Sequence, residues 1–140
     1  MVLEFKDDYY FLSNMYPCKI IYKDIEFKSA ESLFQALKST NMEDFKKFKD
    51  LNGYEAKKLG RQIKLREDWN EIRVNAMYNV LKLKFNQNIE LGYKLKATGR
   101  RELIEGNNWN DKFWGVNLKD NKGENHLGKL LMRIREELRK

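Results

Sequence analysis

Residues 30–38, Ala-Glu-Ser-Leu-Phe-Gln-Ala-Leu-Lys, constrain this chain more than any other stretch. The segment is too apolar to lie in solvent and too regularly interrupted by polar groups to be plain core. Its spacing predicts a helix over about 30–40, with Ser29 as the N-cap. Ser32 stands where a full capping box would place Glu or Gln, so the reading is a capped helix without the box. On that helix, positions 31, 34, 35 and 38 share one face. A carboxylate, an aromatic ring, a carboxamide and an amine are thereby held together inside an otherwise apolar turn. Much later in the chain a second carboxylate, Asp111, arrives beside Phe113 and Trp114.

The elements around this helix read as α+β, mainly helical, with a small sheet. Residues 18–28 form two β-prone runs about a Lys23-Asp24 turn, a hairpin without the favoured glycine. Short helices are predicted over 42–50 and 54–60, broken by Asn52-Gly53 and ended by Gly60. A longer helix carries Trp69, Ile72, Ala76, Val80 and Leu83 as an apolar stripe. Another spans about 88–97, and 101–105 reads as a strand leading into the polar loop 106–112. The final helix presents Leu127, Leu130, Leu131, Ile134 and Leu138 on one face and charge on the other. No repeat, low-complexity tract or linker interrupts the 140 residues, so the chain is expected to form a single domain over 1–140.

Composition narrows the chemistry. One cysteine, Cys18, excludes an intramolecular disulfide, and with one histidine a His/Cys zinc centre is not expected. No metal and no cofactor are called for. Met1–Tyr10 is charged and aromatic with no apolar run, unlike a secretory or transit segment, and no stretch approaches the about 20 apolar residues of a membrane span. The expectation is a cytoplasmic protein. A net charge of +7 favours anionic partners: nucleic acid, phosphorylated metabolites or dinucleotides. A solvated basic surface is the alternative.

Glu31 and Asp111 are the candidate acid–base pair. A carboxylate can stabilise an oxocarbenium-like centre or activate water during cleavage at an anomeric carbon. The alternative is a surface Glu and a turn Asp. Lys38, if stripped of water on an apolar face, would lose basicity and could attack a sugar C1 as a neutral amine. Most helix lysines are solvated instead. Trp69, Trp109 and Trp114 offer flat faces for a base or serve as core. Arg61, following Gly60, could pair with phosphate through its planar fork or lie in solvent with the Lys57–Arg66 basic run. His126 reads as a helix-start residue. No phosphate-loop glycine pattern and no Ser–His–Asp arrangement is present.

Taken in order, the blocks Phe11-Leu12-Ser13-Asn14-Met15-Tyr16-Pro17, Glu31–Lys38, Gly60-Arg61 with Arg66-Glu67-Asp68-Trp69, and Met77 to Lys84-Phe85 form a pattern. It continues through Thr98-Gly99, Leu103-Ile104-Glu105, Asp111-Lys112-Phe113-Trp114-Gly115 and Gly123–Gly128 with Leu131-Met132. The chain resembles the NADAR (YbiA-like) family from about residue 8 to 139. The resemblance implies an α+β fold and an N-glycosidase acting on the C1–N bond of a ribosylated nucleobase. Two substrate classes follow from it: phosphoribosylamino-pyrimidine intermediates of riboflavin synthesis, and ADP-ribose carried on guanine in nucleic acid.

By the same resemblance Glu31, Lys38 and Asp111 are the catalytic positions. Asn14, Phe34, Gln35, Arg61, Trp69, Trp114, Gly115 and Asn125 fall at substrate-binding ones. Where the family often has Ser-Glu-His-Tyr-Phe-Gln, this chain has Ala30-Glu31-Ser32-Leu33-Phe34-Gln35, which bears on substrate identity more than on reaction type. The basic charge leans toward ADP-ribosyl-guanine, with DNA or RNA as a partner. The rivals are the riboflavin-type phosphoriboside and a non-catalytic ADP-ribose or nucleotide-binding module.

Overall fold

A computed structural model describes residues 1–140 and shows an α+β chain of helices and two small sheets. It divides into two compact units, Asn14–Asn88 and Met1–Ser13 with Ile89–Lys140. No helix is long and apolar enough to cross a membrane.

In the first unit the predicted hairpin forms from β1 (Pro17–Tyr22) and β2 (Ile25–Ser29), paired antiparallel with a bulge between Pro17 and Ile20. Lys23 and Asp24 both take left-handed backbone angles, φ 51° and 63°. That geometry matches the strand twist and is normally given to Asn-Gly. Helix α1 (Ala30–Ala36) follows directly. Its cap differs from expectation. Ser29 accepts from Ser32 N–H while the Ser32 hydroxyl accepts from Ser29 N–H, both at 3.1 Å, so a second serine completes the box. The helix is also shorter than read. Lys38 and Ser39 donate to the carbonyls of Gln35 and Ala36, and the Ser39 hydroxyl takes Ala36 O at 2.7 Å, so the chain tightens out of α geometry.

Two short helices, α2 (Met42–Lys46) and α3 (Gly53–Gly60), lead to α4 (Trp69–Gln87). Asn52 and Glu55 form a reciprocal capping box at the start of α3. The core of this unit holds Ile20, Phe27, Leu33, Phe48, Met77 and Phe85, each nearly or fully buried. Burial of each such side chain stabilises by about 1.5–3 kcal/mol. On α4 the buried side chains are Trp69, Met77, Val80, Leu81, Lys84 and Phe85. Ile72, Ala76 and Leu83 of the predicted stripe remain part-exposed. The inner face is offset from that stripe, sharing Trp69 and Val80 with it, and includes a charged residue, Lys84.

The second unit begins with a 3₁₀ helix at Asp7–Leu12 and holds α5 (Ile89–Ala97), β3 (Gly106–Asn107), β4 (Val116–Asn117) and α6 (His126–Leu138). The strand expected over 101–105 is reduced to one bridge, Leu103 with Val2, and pairing moves on to β3 and β4, which run parallel. Of the predicted α6 stripe, Leu138 at the end of the helix is part-exposed, and Leu127, Leu130, Leu131 and Ile134 are buried. Arg135 is buried with them, donating to Thr98 Oγ1 and Arg101 O, both at 2.9 Å.

Candidate active site

Helix α1 carries its polar face against α3. Two glycines permit this approach: a Cβ on Gly53 would lie 3.2 Å from Glu31 Cβ, and one on Gly60 would lie 1.9 Å from Gln35 Oε1. Glu31 is 8% exposed, and its backbone N–H donates to Asn14 O at 2.9 Å. Its Oε2 accepts from Gln35 Nε2 at 2.8 Å, which fixes the carboxylate about two turns before Lys38 in the chain. Asn14, 7% exposed, donates through Nδ2 to Met77 Sδ at 3.3 Å. Asn14 Oδ1 and Gln35 Oε1 are buried without a hydrogen-bond partner. Such an acceptor costs about 1–3 kcal/mol. Gln35 Oε1 is packed on Gly60, so Asn14 Oδ1 is the better placed of the two to receive a ligand donor.

This packing has a testable consequence. In Gly60→Ala the new methyl must displace the Gln35 carboxamide and release Glu31. Overpacking costs about 1–3 kcal/mol, whereas helix propensity returns about 1 kcal/mol. Urea unfolding should therefore register a net loss of only about 1 kcal/mol, while activity falls more than stability does.

Lys38 lies half-buried just past α1, its Nζ 5.8 Å from the Trp69 ring centroid. Desolvation holds its pKa below the usual lysine value; Glu31 pulls the other way, and Arg61 and Lys57 add to the lowering. Lys57, on α3, and Arg61, its C-cap, are one turn apart, and neither is among the ion-paired residues. Lys57 is a site neighbour that the sequence reading passed over as part of a solvated run. Trp69 is 6% exposed and packs on Phe34, centroids 5.0 Å apart, so much of its ring is already covered.

The other candidates belong to the second unit. Asp111 Oδ1 accepts from the N–H groups of Phe113 and Trp114 at 3.1 and 3.0 Å, a tight turn that holds its carboxylate still. Asn107, 1% exposed, braces it by donating to Asp111 O at 2.9 Å and accepting from Asp111 N–H at 3.0 Å. Trp114 stands edge-on to Phe113, centroids 4.9 Å apart, and Phe113 lies 4.4 Å from the ring of His126, the first residue of α6. Gly115 allows the close passage of Glu105, whose Oε2 would be 1.9 Å from a Cβ there. Asn125 takes a left-handed φ of 54°. Its carboxamide accepts from Glu105 N–H at 3.0 Å and donates to Leu103 O at 2.9 Å, so it ties backbone segments together.

The structure thus gathers Asn14, Glu31, Phe34, Gln35, Lys38, Arg61 and Trp69 in one unit and Asp111, Trp114, Gly115 and Asn125 in the other. Trp109 is 63% exposed and stands apart from the interactions just described. No group of three or more His, Cys, Asp or Glu side chains is placed to hold a metal ion.

Against known proteins, the NADAR domain model matches residues 3–139. The chain is 38% identical over 131 residues to a riboflavin biosynthesis protein of Vibrio vulnificus, covering 91% of this chain and 35% of that one. It therefore spans about a third of that relative's length. It is 34% identical over 137 residues to the N-glycosidase YbiA of Escherichia coli, with 94% of this chain and 83% of that one covered. A similar match, 33% over 133 residues, joins it to an N-glycosidase of Nostoc punctiforme, covering 91% and 84%. The solution structure of E. coli YbiA superposes with a TM-score of 0.85 at 30% identity, covering 99% of this chain and 87% of that one.

Proposed function

The chain belongs to the NADAR domain family, and from that premise we propose that it is an N-glycosidase hydrolysing the C1–N bond of a ribosylated nucleobase. The observation that carries this reading is the pairing of a part-desolvated amine, Lys38, with a buried carboxylate, Glu31, that Gln35 holds in place. Binding alone does not call for both. In the reaction the base departs from C1 with the bonding electrons and takes up a proton, and positive charge develops on the ribose. Glu31 faces that charge, and Asp111, braced in its turn, is the second carboxylate that stabilises C1 or activates water. Lys38 as free amine adds to C1; opening of the sugar ring gives an imine, and water then releases the ribose and restores the amine. Arg61 holds phosphate, Asn14 Oδ1 accepts from a sugar hydroxyl, and Trp114 offers a face to the base. Phe34, Gln35 and Trp69 shape the floor beneath, while Gly115 and Asn125 set the turn that carries Asp111 and Trp114. The chain is read as one NADAR domain over residues 1–140.

The favoured substrate is ADP-ribosylated guanine in DNA or RNA, in keeping with the net charge of +7 and the run of cations from Lys57 to Arg66. A riboflavin-type phosphoribosylamino-pyrimidine is the second reading, supported by the likeness to the Vibrio protein. Incubation of purified protein with each substrate separates them. Release of ADP-ribose from a guanine-modified oligonucleotide is expected. Cleavage of the pyrimidine phosphoriboside alone would reassign the substrate, and cleavage of neither, with ADP-ribose still bound, would leave a binding module.

A further inference from the structure

The apolar stripe of α4 that stays out of the core floors a groove of about 580 Å³. Ile72, Ala76 and Leu83 meet Leu33 and Leu37 along its base. Its volume lies in the range of small-molecule sites and suits a small ligand better than a docked helix. Asn75, Asn79 and Asn86 stand along the rim, exposed, and Tyr22 closes one side. Carboxamides present both donors and acceptors, the match for the edge of a nucleobase. Two cations, Arg66 and Lys82, line the groove and no carboxylate does. Arg66 turns Nε and Nη2 to Asp68, which leaves Nη1 for an anion.

The groove adjoins the proposed reaction site. Leu37 precedes Lys38, Arg66 N–H donates to Lys38 O at 2.9 Å, and Trp69 under Lys38 begins the stripe that continues as Ile72 and Ala76. We infer that this groove binds a nucleoside 5′-phosphate: the second nucleotide of a substrate whose two nucleosides are joined through a diphosphate. The inference rests on the glycosidase reading above and goes further, because it assigns a seat that a mononucleotide substrate would leave empty. The base lies on the Ala76–Leu83 floor with its edge toward Asn75 and Asn79, and its phosphate lies toward Arg66.

The test uses AMP as probe and two variants outside the catalytic set, Ala76→Trp, which fills the groove, and Asn79→Asp, which brings a carboxylate to it with little steric change. AMP is expected to shift the side-chain amide NMR signals of Asn75 and Asn79, and either variant should suppress the shift. With ADP-ribosyl-guanine oligonucleotide, KM should rise about tenfold with kcat unchanged. Cleavage of the pyrimidine phosphoriboside, where it occurs, should be unaffected. Unmoved amide signals, or equal losses on both substrates, would overturn the inference. So would shifts seen with an unmodified oligonucleotide but not with AMP, or a dimer buried through this face in sedimentation. AMP seated in the groove without turnover of either substrate would discard the glycosidase and keep a nucleotide groove. Turnover without AMP in the groove would do the reverse.

Discussion

Replacing Lys38 by alanine is expected to abolish the adduct that borohydride traps on the protein during turnover, and to lower kcat by about 10²–10⁴-fold. Borohydride reduces an imine to a stable secondary amine, so the trapped mass marks the residue that attacked C1. Desolvation beside Trp69, reinforced by Arg61 and Lys57, increases the share of Lys38 that is neutral at a given pH. The rate should therefore rise with pH through a limb set below the ordinary lysine value, because the attacking amine must first lose its proton. Lys57→Gln and Arg61→Gln each remove a cation that favours the neutral form. Both should move that limb to higher pH, a displacement that mere loss of phosphate affinity would not produce. Full turnover in Lys38→Ala with the acid limb unchanged would eliminate the covalent route and leave water, activated by a carboxylate, as the attacking group.

The helix that carries the candidate site was legible because its signals agree: Ser29 at the cap, apolar residues at core spacing, and Glu31 and Gln35 on one face, with Lys38 just beyond its end. What the spacing could not disclose is the packing that fixes them. That Gly60 is needed for Gln35 to reach Glu31 depends on a neighbour twenty-five residues away in sequence, and local patterns carry no such information. On α4 the apolar stripe divides: Trp69 and Val80 are buried, Lys84 shares the inner face with them, and Ile72, Ala76 and Leu83 line an open groove. The strand at 101–105 failed because its β-prone residues found one bridging partner only, Val2. Asp111 is a turn aspartate by hydrogen bonding, and under the proposed function that turn is what would hold a catalytic carboxylate still.

Lys84 sets the remaining prediction, the largest expected for stability. It is fully buried on α4, its Nζ 5.1 Å from the Phe85 centroid and 5.8 Å from that of Tyr16, and burial pulls its pKa from 10.5 down to about 8. The nearby Cys18 acts weakly in the opposite direction. Because the folded value lies below the unfolded one, the unfolded chain holds a proton between about pH 8 and 10.5 that the native chain has released. Stability from this group is therefore complete above 10.5, grows across that window as pH rises, and is lost as pH falls through about 8. At about 1.4 kcal/mol per pH unit the full span is worth about 3 kcal/mol, of which about 2 should appear between pH 7 and 9.5. Lys38, also lowered, adds to the rise, and Cys18, whose thiol burial pushes up, opposes it. The contribution of Lys84 is isolated by urea unfolding of the parent and of Lys84→Met at both pH values, methionine keeping the unbranched shape. The parent should gain about 2 kcal/mol over the variant on going to pH 9.5, and an NMR titration of the Lys84 Nζ should show its midpoint near 8. Equal slopes in the two proteins would mean that the amine keeps its ordinary basicity. The Asn14–Cys18 segment would then be held to α4 by the Asn14–Met77 contact without a titrating cation beneath it.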